Sequence, residues 1–288
     1  MTKLDPRLHA FRADLADRSL QGRVAAEQFS DGDDFIVVSP TADVRRSPSP
    51  DALLETEALA GERIKVFDRT PEGWAWGQLA GDGYVGWIPE ESLARPGPAP
   101  THKVSVPRTL VFRGPDIKQP VLAGLPLGAR VAVTGEAEDR NARYALISPA
   151  GAVVMQHLAR LDHAEADFVA VAERFAGTPY LWGGKTSQGI DCSGLVQTAL
   201  GACGIAAPRD TDMQEEALGE PLPVSGGLPP LRRGDLMFWR GHVGIMQDAA
   251  TILHASAFQM AVVGEPLAET LARYEAKGVV LSSVRRLP

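Results

Sequence analysis

Cysteine and histidine, which together can do nucleophilic chemistry on an acyl group, are both scarce in this chain: 2 Cys and 6 His in 288 residues. Cys192 stands in GIDCSGL, after the Gly-rich run YLWGGKTSQ, and is followed by Leu195, Val196, Ala199, Leu200 and Cys203 at helical spacing. That spacing predicts a helix opening at or just after Cys192. A helix start leaves backbone N–H groups unpaired and carries the positive end of the dipole. It therefore favours an anion, either a thiolate of lowered pKa or a developing oxyanion. Taken alone, Cys192 reads equally well as a nucleophile and as a small buried hydrophobe. Cys203, along the apolar side of the same helix, reads as core.

The histidines separate the two readings. His9, His102, His157 and His163 fall in loop or surface contexts, whereas His242 of HVGIM and His254 of TILHAS lie on consecutive expected strands beyond Cys192. Alternation puts His242 on the face opposite Val243 and Ile245, where it can act as a base toward the thiol. His254 can then orient the first imidazole through its far nitrogen, completing a set of nucleophile, base and orienting group. On residues alone two other readings stay open. The pair can be structural, or it can join Cys192 in a zinc site, although the spacing lacks the regularity of common zinc motifs.

Such a site needs a scaffold, and composition allows one. With 44% hydrophobic and 23% charged residues, the chain reads as a globular protein of about two domains or more. A net charge of −7 argues against charge-driven binding to nucleic acid or to an anionic membrane, and favours a small or peptide ligand. No run approaches the ~18 apolar residues of a membrane span. Residues 1–20 break each apolar run with Asp or Arg, unlike a secretory signal. Two cysteines make no disulfide framework, so a reducing, cytoplasmic setting is expected.

Residues 5–29 space Leu8, Phe11 and Leu15 at helical intervals, which predicts an amphipathic N-terminal helix within a bracing segment, 1–32. From 33 to 161 the pattern turns to short β-type runs between Pro/Gly-rich turns (DFIVV, ERIKVF, GWAWGQL, GYVGWI, ARVAV, RYALI). A repeat at a constant offset of 67 residues relates Pro40/Pro107, Val44/Val111, Arg46/Arg113, Pro48/Pro115, Gly61/Gly128, Arg63/Arg130, Ile64/Val131 and Val66/Val133. This predicts two copies of one β-module, 33–95 and 100–162, joined through PGPAPTHK. Trp74, Trp76, Tyr84 and Trp87 occur only in the first copy. The tryptophans read as core, while Tyr84, between Gly83 and Gly86, suits the lining of a site because its hydroxyl needs a polar partner.

Beyond residue 162, AEADFVAVAERFAGTPY predicts a helix ending at Gly177. The Gly-rich loop and the Cys192 helix follow, then a turn and helix from PRDTDMQ. DLMFW, HVGIM, TILHAS and VVLSSV predict strands. Helices followed by strands imply an α+β domain, 164–288, with an antiparallel sheet.

Two resemblances rest on these motifs. VRRSP at 44–48 and GWIPEESL at 86–93 resemble the opening turn and closing strand of bacterial SH3-like domains, and the second copy keeps VFRGP but closes with AVVMQHL. Y-x-W-G-G, D-C-S-G, P-R-D-T, R-G-D-L-x-F-W, H-V-G-I and a second His, in that order, resemble the NlpC family of papain-like cysteine peptidases that cut bacterial cell-wall peptides. The resemblance implies a papain-like catalytic domain preceded by two SH3-like barrels. It implies a γ-D-glutamyl-L-diamino acid endopeptidase acting on murein stem peptides with a free N-terminal L-Ala, in cell-wall peptide recycling and without a metal or cofactor. It assigns Cys192 as nucleophile, His242 as base, His254 as orienting residue and Tyr180 to the oxyanion. It offers Asp191, Ser193 and Asp210 for the substrate amine, Arg209 for a carboxylate or as a loop brace, and Trp182 as a cleft wall. Tyr84, assisted by Glu55, is implied at the amine end of the cleft. Amidase or acyl-transfer chemistry on the same triad, and a non-catalytic peptide-binding role, remain the alternatives at this point.

Overall fold

The computed structural model describes residues 4–224 and 227–288. Residues 1–3 of the expected N-terminal segment, and Ser225 and Gly226 of the expected catalytic domain, therefore lie outside the described residues. The chain divides into two compact units, Met1–Asp162 and His163–Pro288.

The N-terminal helix expected at 5–29 is not formed. Residues 5–32 run as turns, a single 3-10 turn at Arg18–Leu20, and two short parallel strands, Leu15–Asp17 and Gln28–Ser30. Their apolar side chains obey the surface they meet and not a helical period. Ala10 and Leu15 join Phe67, Trp74, Trp76 and Trp87, while Leu8 packs on the neighbouring core. The backbone bonds to the β-module in place of itself: Val85 N–H donates to the Arg7 carbonyl at 2.8 Å, and the Gln78 amide to that of Leu8 at 2.8 Å. Arg12 lies 4.4 Å over the Trp76 ring and pairs with Asp14 and Asp68. The segment braces the first module without being helical.

The two β-modules repeat one plan. In the first, one sheet runs in the order Leu54–Leu59, Thr41–Arg45, Val85–Pro89, Trp74–Leu79, Arg63–Arg69, Asp33–Val37, Leu93–Ala94. The second has the order Val121–Pro126, Arg108–Phe112, Ala152–Val154, Arg143–Ile147, Val133–Glu138. A separate three-stranded sheet there joins Arg130–Val131, His102–Val104 and Leu158–Arg160. The counterpart of Arg63–Arg69 is thus broken at Ala132, which splits the second sheet in two. Trp74 and Trp76 are buried with Trp87 in the first module, as their spacing in the strand suggests.

Gly61 and Gly128, partners in the repeat, both turn through positive φ (78° and 87°). Their surroundings differ. A Cβ on Gly61 would stand 2.5 Å from the Arg130 carbonyl oxygen, because the Ala60 carbonyl accepts the Arg130 N–H at 2.7 Å and draws the two modules together there. A Cβ on Gly128 would meet only Leu59 Cδ1 at 3.5 Å.

The second unit is built on a six-stranded antiparallel sheet: Glu220–Leu222, Leu281–Arg286, Leu236–Trp239, His242–Met246, Thr251–Ser256, Ala261–Pro266. Its helices are α1 (Phe168–Glu173), α2 (Cys192–Ala202), α3 (Thr211–Ala217) and α4 (Leu267–Ala276). Helix α1 is shorter than its apolar pattern suggests and starts where Asp167 accepts the N–H groups of Val169 and Ala170. Leu195, Val196, Ala199 and Leu200 are buried along α2, whereas Cys203 is half-buried at its C-terminal cap and not part of the core. The strand Ala261–Pro266 and helix α4 are additions to the sequence-based reading. Gly264 and Pro266 interrupt the strand pattern, which an edge strand tolerates. The helix begins after Pro266 with no side-chain cap to announce it.

The repeat supplies its own control for stability. Gly128→Ala is expected to cost about 1–2 kcal/mol, the penalty of a left-handed backbone. Gly61→Ala is expected to cost about 3 kcal/mol, since two main chains must also part. Urea unfolding of both variants measures the difference, and equal losses would contradict the close approach of Ala60 and Arg130.

Candidate active site

Cys192 is the first residue of α2, and the residue before it holds the helix start in place. Asp191 caps α2 with extended backbone (φ −97°, ψ 178°), and its Oδ1 accepts Gly194 N–H at 2.7 Å. The same oxygen accepts from the Ser193 hydroxyl at 3.2 Å and from Arg209 at 3.0 Å. Oδ2 accepts Gly183 N–H at 2.8 Å and the other guanidinium nitrogen of Arg209 at 2.7 Å. Arg209 is 1% exposed and donates further to the Ser193 hydroxyl at 2.8 Å and to the Gly184 carbonyl at 3.3 Å. Gln214, buried on α3, donates to the Ser193 and Pro208 carbonyls.

Three expected site residues are thereby engaged with one another: Asp191 and Ser193 both bond to Arg209 inside the protein. Of the two tasks open to Arg209, the structure assigns the brace. Gly194 admits backbone closely, as a glycine can, but the visitor is the protein's own Gly184 carbonyl, 2.3 Å from where a Cβ would stand.

The base and its support come from the sheet. His242 opens its strand opposite Trp239, and His254 lies on the next strand. The two rings meet through His242 Nε2 and His254 Nδ1 at 2.7 Å, and His254 Nε2 reaches Glu265 Oε1 at 2.9 Å. Glu265 is held by Thr270 at 2.8 Å and by Arg273 at 2.7 and 2.9 Å, both from α4. Tyr274, also on α4, stacks on His242 (ring centroids 5.4 Å apart, 28° between planes) and on Trp239 (4.9 Å, 17°). With Nε2 of His242 committed to His254, Nδ1 is the nitrogen left for the thiol. The Cys192 sulfur lies against the N–H of Val243, the residue after His242, and 3.9 Å from the Thr211 hydroxyl.

Electrostatics run against the thiolate expected from the helix start. Burial, with Asp191 close behind it, pushes the Cys192 thiol up to about 11, and the favourable contacts with Val243 N–H, Thr211 and Arg209 do not reverse this. Burial pushes His242 down to about 3, with His254 adding to the shift. Burial also lowers His254, against the pull of Glu265. The shifts on the thiol and on the imidazole both oppose a thiolate–imidazolium pair at rest. The Tyr180 and Tyr274 hydroxyls are raised by burial and then by the charge that Cys192 would carry.

The remaining expected residues are placed as follows. Tyr180 is half-buried beside the thiol, in a bridge with Ile190. Trp182 is 62% exposed on the loop before Asp191. Asp210 is half-buried at the start of α3, one residue from Thr211, and makes no capping bond. In the first unit, Tyr84 is buried with that module's core and Glu55 pairs with Arg46. Glu265, Thr270, Arg273 and Tyr274 are site residues that sequence reasoning missed. An isolated glutamate in VVGEPLAET looks like an ordinary helix-start carboxylate, and only strand register brings it behind His254. Thr211 carried a signal, as the last letter of PRDT.

Two outcomes follow from this geometry. With the thiol near 11, alkylation of Cys192 by iodoacetamide should rise about tenfold per pH unit through pH 9, where an ordinary cysteine of pKa ≈ 8.5 levels off. A rate flat between pH 6 and 8 would instead indicate an ion pair. Arg209→Met leaves the Asp191 carboxylate buried without its cation and should cost about 3–5 kcal/mol in urea unfolding. A near-neutral result would show that Asp191 is not anchored as described.

Comparison with known proteins places this geometry. Residues 177–279 match the NlpC/P60 family, and residues 44–93 match the bacterial dipeptidyl-peptidase Sh3 domain. A gamma-D-glutamyl-L-lysine dipeptidyl-peptidase of Bacillus subtilis (strain 168) is 29% identical over 276 residues, which is 85% of this chain and 85% of that protein. One from Bacillus cereus (strain ATCC 10987 / NRS 248) is 27% identical over 205 residues, 65% of this chain and 60% of that protein. Among solved structures, an NlpC/P60 family protein from Bacillus cereus ATCC 10987 shares the fold. It has a TM-score of 0.71 at 21% identity, covering 89% of this chain and 100% of that one. The chain carries the cysteine-peptidase domain of the NlpC/P60 family, with a bacterial dipeptidyl-peptidase Sh3 domain preceding it in sequence.

Proposed function

We propose that this peptidase hydrolyses the amide between γ-linked D-Glu and the diamino acid of murein stem peptides that carry a free N-terminal L-Ala. The observation that carries the reading is the buried set of Cys192, His242 and His254, in a chain that parallels a gamma-D-glutamyl-L-lysine dipeptidyl-peptidase over 85% of both lengths.

The mechanism starts from a neutral thiol and a neutral imidazole, the forms that burial favours. Because the thiol holds its proton tightly and the imidazole takes one reluctantly, proton transfer accompanies attack and does not precede it. The sulfur bonds to the γ-carbonyl carbon as Nδ1 of His242 takes the proton. The oxyanion forms toward the Cys192 N–H at the start of α2 and the Tyr180 hydroxyl. Imidazolium then gives the proton to the leaving amine of the diamino acid. Water, with His242 again as base, releases the γ-glutamyl dipeptide from the sulfur.

Asp210 is the group we assign to the substrate's N-terminal ammonium. It adjoins Thr211 at the thiol and is not used to cap α3, and a carboxylate supplies both acceptor and counter-charge. Exposed Trp182 supplies an apolar wall on the loop next to Tyr180. We read the second β-module as a further SH3-like barrel because its strands follow the order of the first. We place the enzyme in the cytoplasm, where two free cysteines suit a reducing milieu and freed wall peptides are recycled.

Turnover of L-Ala-γ-D-Glu-L-Lys and of its N-acetylated form, by wild type and Cys192→Ala, tests the reading. Cys192→Ala should lose at least about 10³-fold in kcat, and acetylation, which removes the substrate's ammonium, should cost about 100-fold in kcat/KM. Equal turnover of the two peptides would remove the free-amine requirement and favour a general amidase. Full activity in Cys192→Ala would remove the mechanism.

A further inference from the structure

The chain of hydrogen bonds behind Cys192 has only one consistent placement of protons. Its outer end is Glu265, which receives two donors from Arg273 and one from Thr270 while 8% exposed. A carboxylate so surrounded by donors is an acceptor only, and Arg273 foremost holds it at about 2. At 2.9 Å from Glu265 Oε1, His254 Nε2 must therefore carry hydrogen. Burial lowers His254 and so favours its neutral form, in which Nδ1 is bare. At 2.7 Å from that bare nitrogen, His242 Nε2 must be the donor. Neutral His242 then has no second proton, and its Nδ1 is an open lone pair.

We propose that Glu265, clamped by Arg273 and Thr270, is a positioning residue that fixes the tautomers of His254 and His242 together and so leaves Nδ1 of His242 the bare nitrogen. It rests on the reading of Cys192 as nucleophile and His242 as its base. Strand register makes the arrangement possible. His254 lies opposite Val263 and Ile252 opposite Glu265, so Glu265 sits two residues along on the face that His254 occupies. Two further rings pack against His242, Trp239 and Tyr274, with centroids at 5.8 and 5.4 Å.

Arg273 decides what kind of help Glu265 gives. Its guanidinium ensures that the carboxylate is ionised, and at the same time offsets much of its charge. Glu265 therefore selects a tautomer more than it stabilises the imidazolium formed during attack. Without Glu265, His254 can carry hydrogen on Nδ1 and donate to His242. Nδ1 of His242 is then the protonated nitrogen, and no base faces the thiol.

Imidazole ¹⁵N spectra of the whole enzyme at neutral pH, with Glu265→Leu and Glu265→Asp as variants, test this. Wild type should show both His242 and His254 protonated on Nε2, and an Nδ1-protonated His254 would overturn the proposal outright. Glu265→Leu should lose that tautomer and drop kcat on the order of 100-fold with little change in KM. Glu265→Asp should recover the spectrum and part of the rate. If Glu265→Leu keeps both the wild-type tautomers and kcat within twofold, the assignment fails. If that variant does not fold, the wild-type spectrum decides alone. The spectra need no substrate, so they separate this idea from the choice of peptide: correct tautomers with an inactive tripeptide would fault the substrate, not Glu265.

Discussion

The ion pair between Asp191 and Arg209, closed off from solvent beneath the nucleophile, is the constraint on which the catalytic unit depends. Two charges out of water are tolerated only when their hydrogen-bonding capacity is filled. Here it is filled by the N–H groups of Gly183 and Gly194, the Ser193 hydroxyl and the Gly184 carbonyl. Three segments far apart in sequence are thereby tied at one point: the Gly-rich loop, the start of α2 and the approach to α3. The position of the Cys192 sulfur is a by-product of that knot.

The same knot sets the chemistry. A carboxylate next to the nucleophile in sequence opposes ionisation of the thiol, and burial opposes it more. Placement at a helix start, which by itself favours an anion, is the weaker effect here. The site resolves the conflict from the other side, where the sheet presents a neutral imidazole with one committed nitrogen. Helix and sheet thus divide the work. The helix fixes where the sulfur is, and the antiparallel ladder of three adjacent strands fixes which atom takes its proton.

Cys192, His242 and His254 stand out by residue type, scarcity and strand alternation, because each sits in a locally regular element, but their roles come from the ordered family motifs. Their supports do not stand out, because they act across long sequence separations. Arg209 is offered as a loop brace, but its partner Asp191, 18 residues away in sequence, is not, and Glu265 reads as a helix-start acid until His254 lies beside it. The N-terminal segment shows the opposite failure. Its apolar spacing fits a helix, yet the aromatic surface of Trp74, Trp76 and Trp87 captures those side chains singly, and the backbone follows the partner. The repeat was legible to the residue at Thr41–Arg45 and Arg108–Phe112, and at Leu54–Leu59 and Val121–Pro126. Local turn chemistry fixes those hairpins.

Tandem copies with one strand order invite a strand of one copy to pair into the other while the chain is still folding. The aromatic asymmetry bears on that hazard. Trp87 stands across from Trp76 in the first module, whereas Val154 stands across from Tyr144 in the second. An exchanged strand that put a valine in place of Trp87 would leave the cluster under the N-terminal segment short of an indole. Divergence of the two copies thus also sorts nascent strands to their own sheets, a selection that would persist even if the second copy bound nothing.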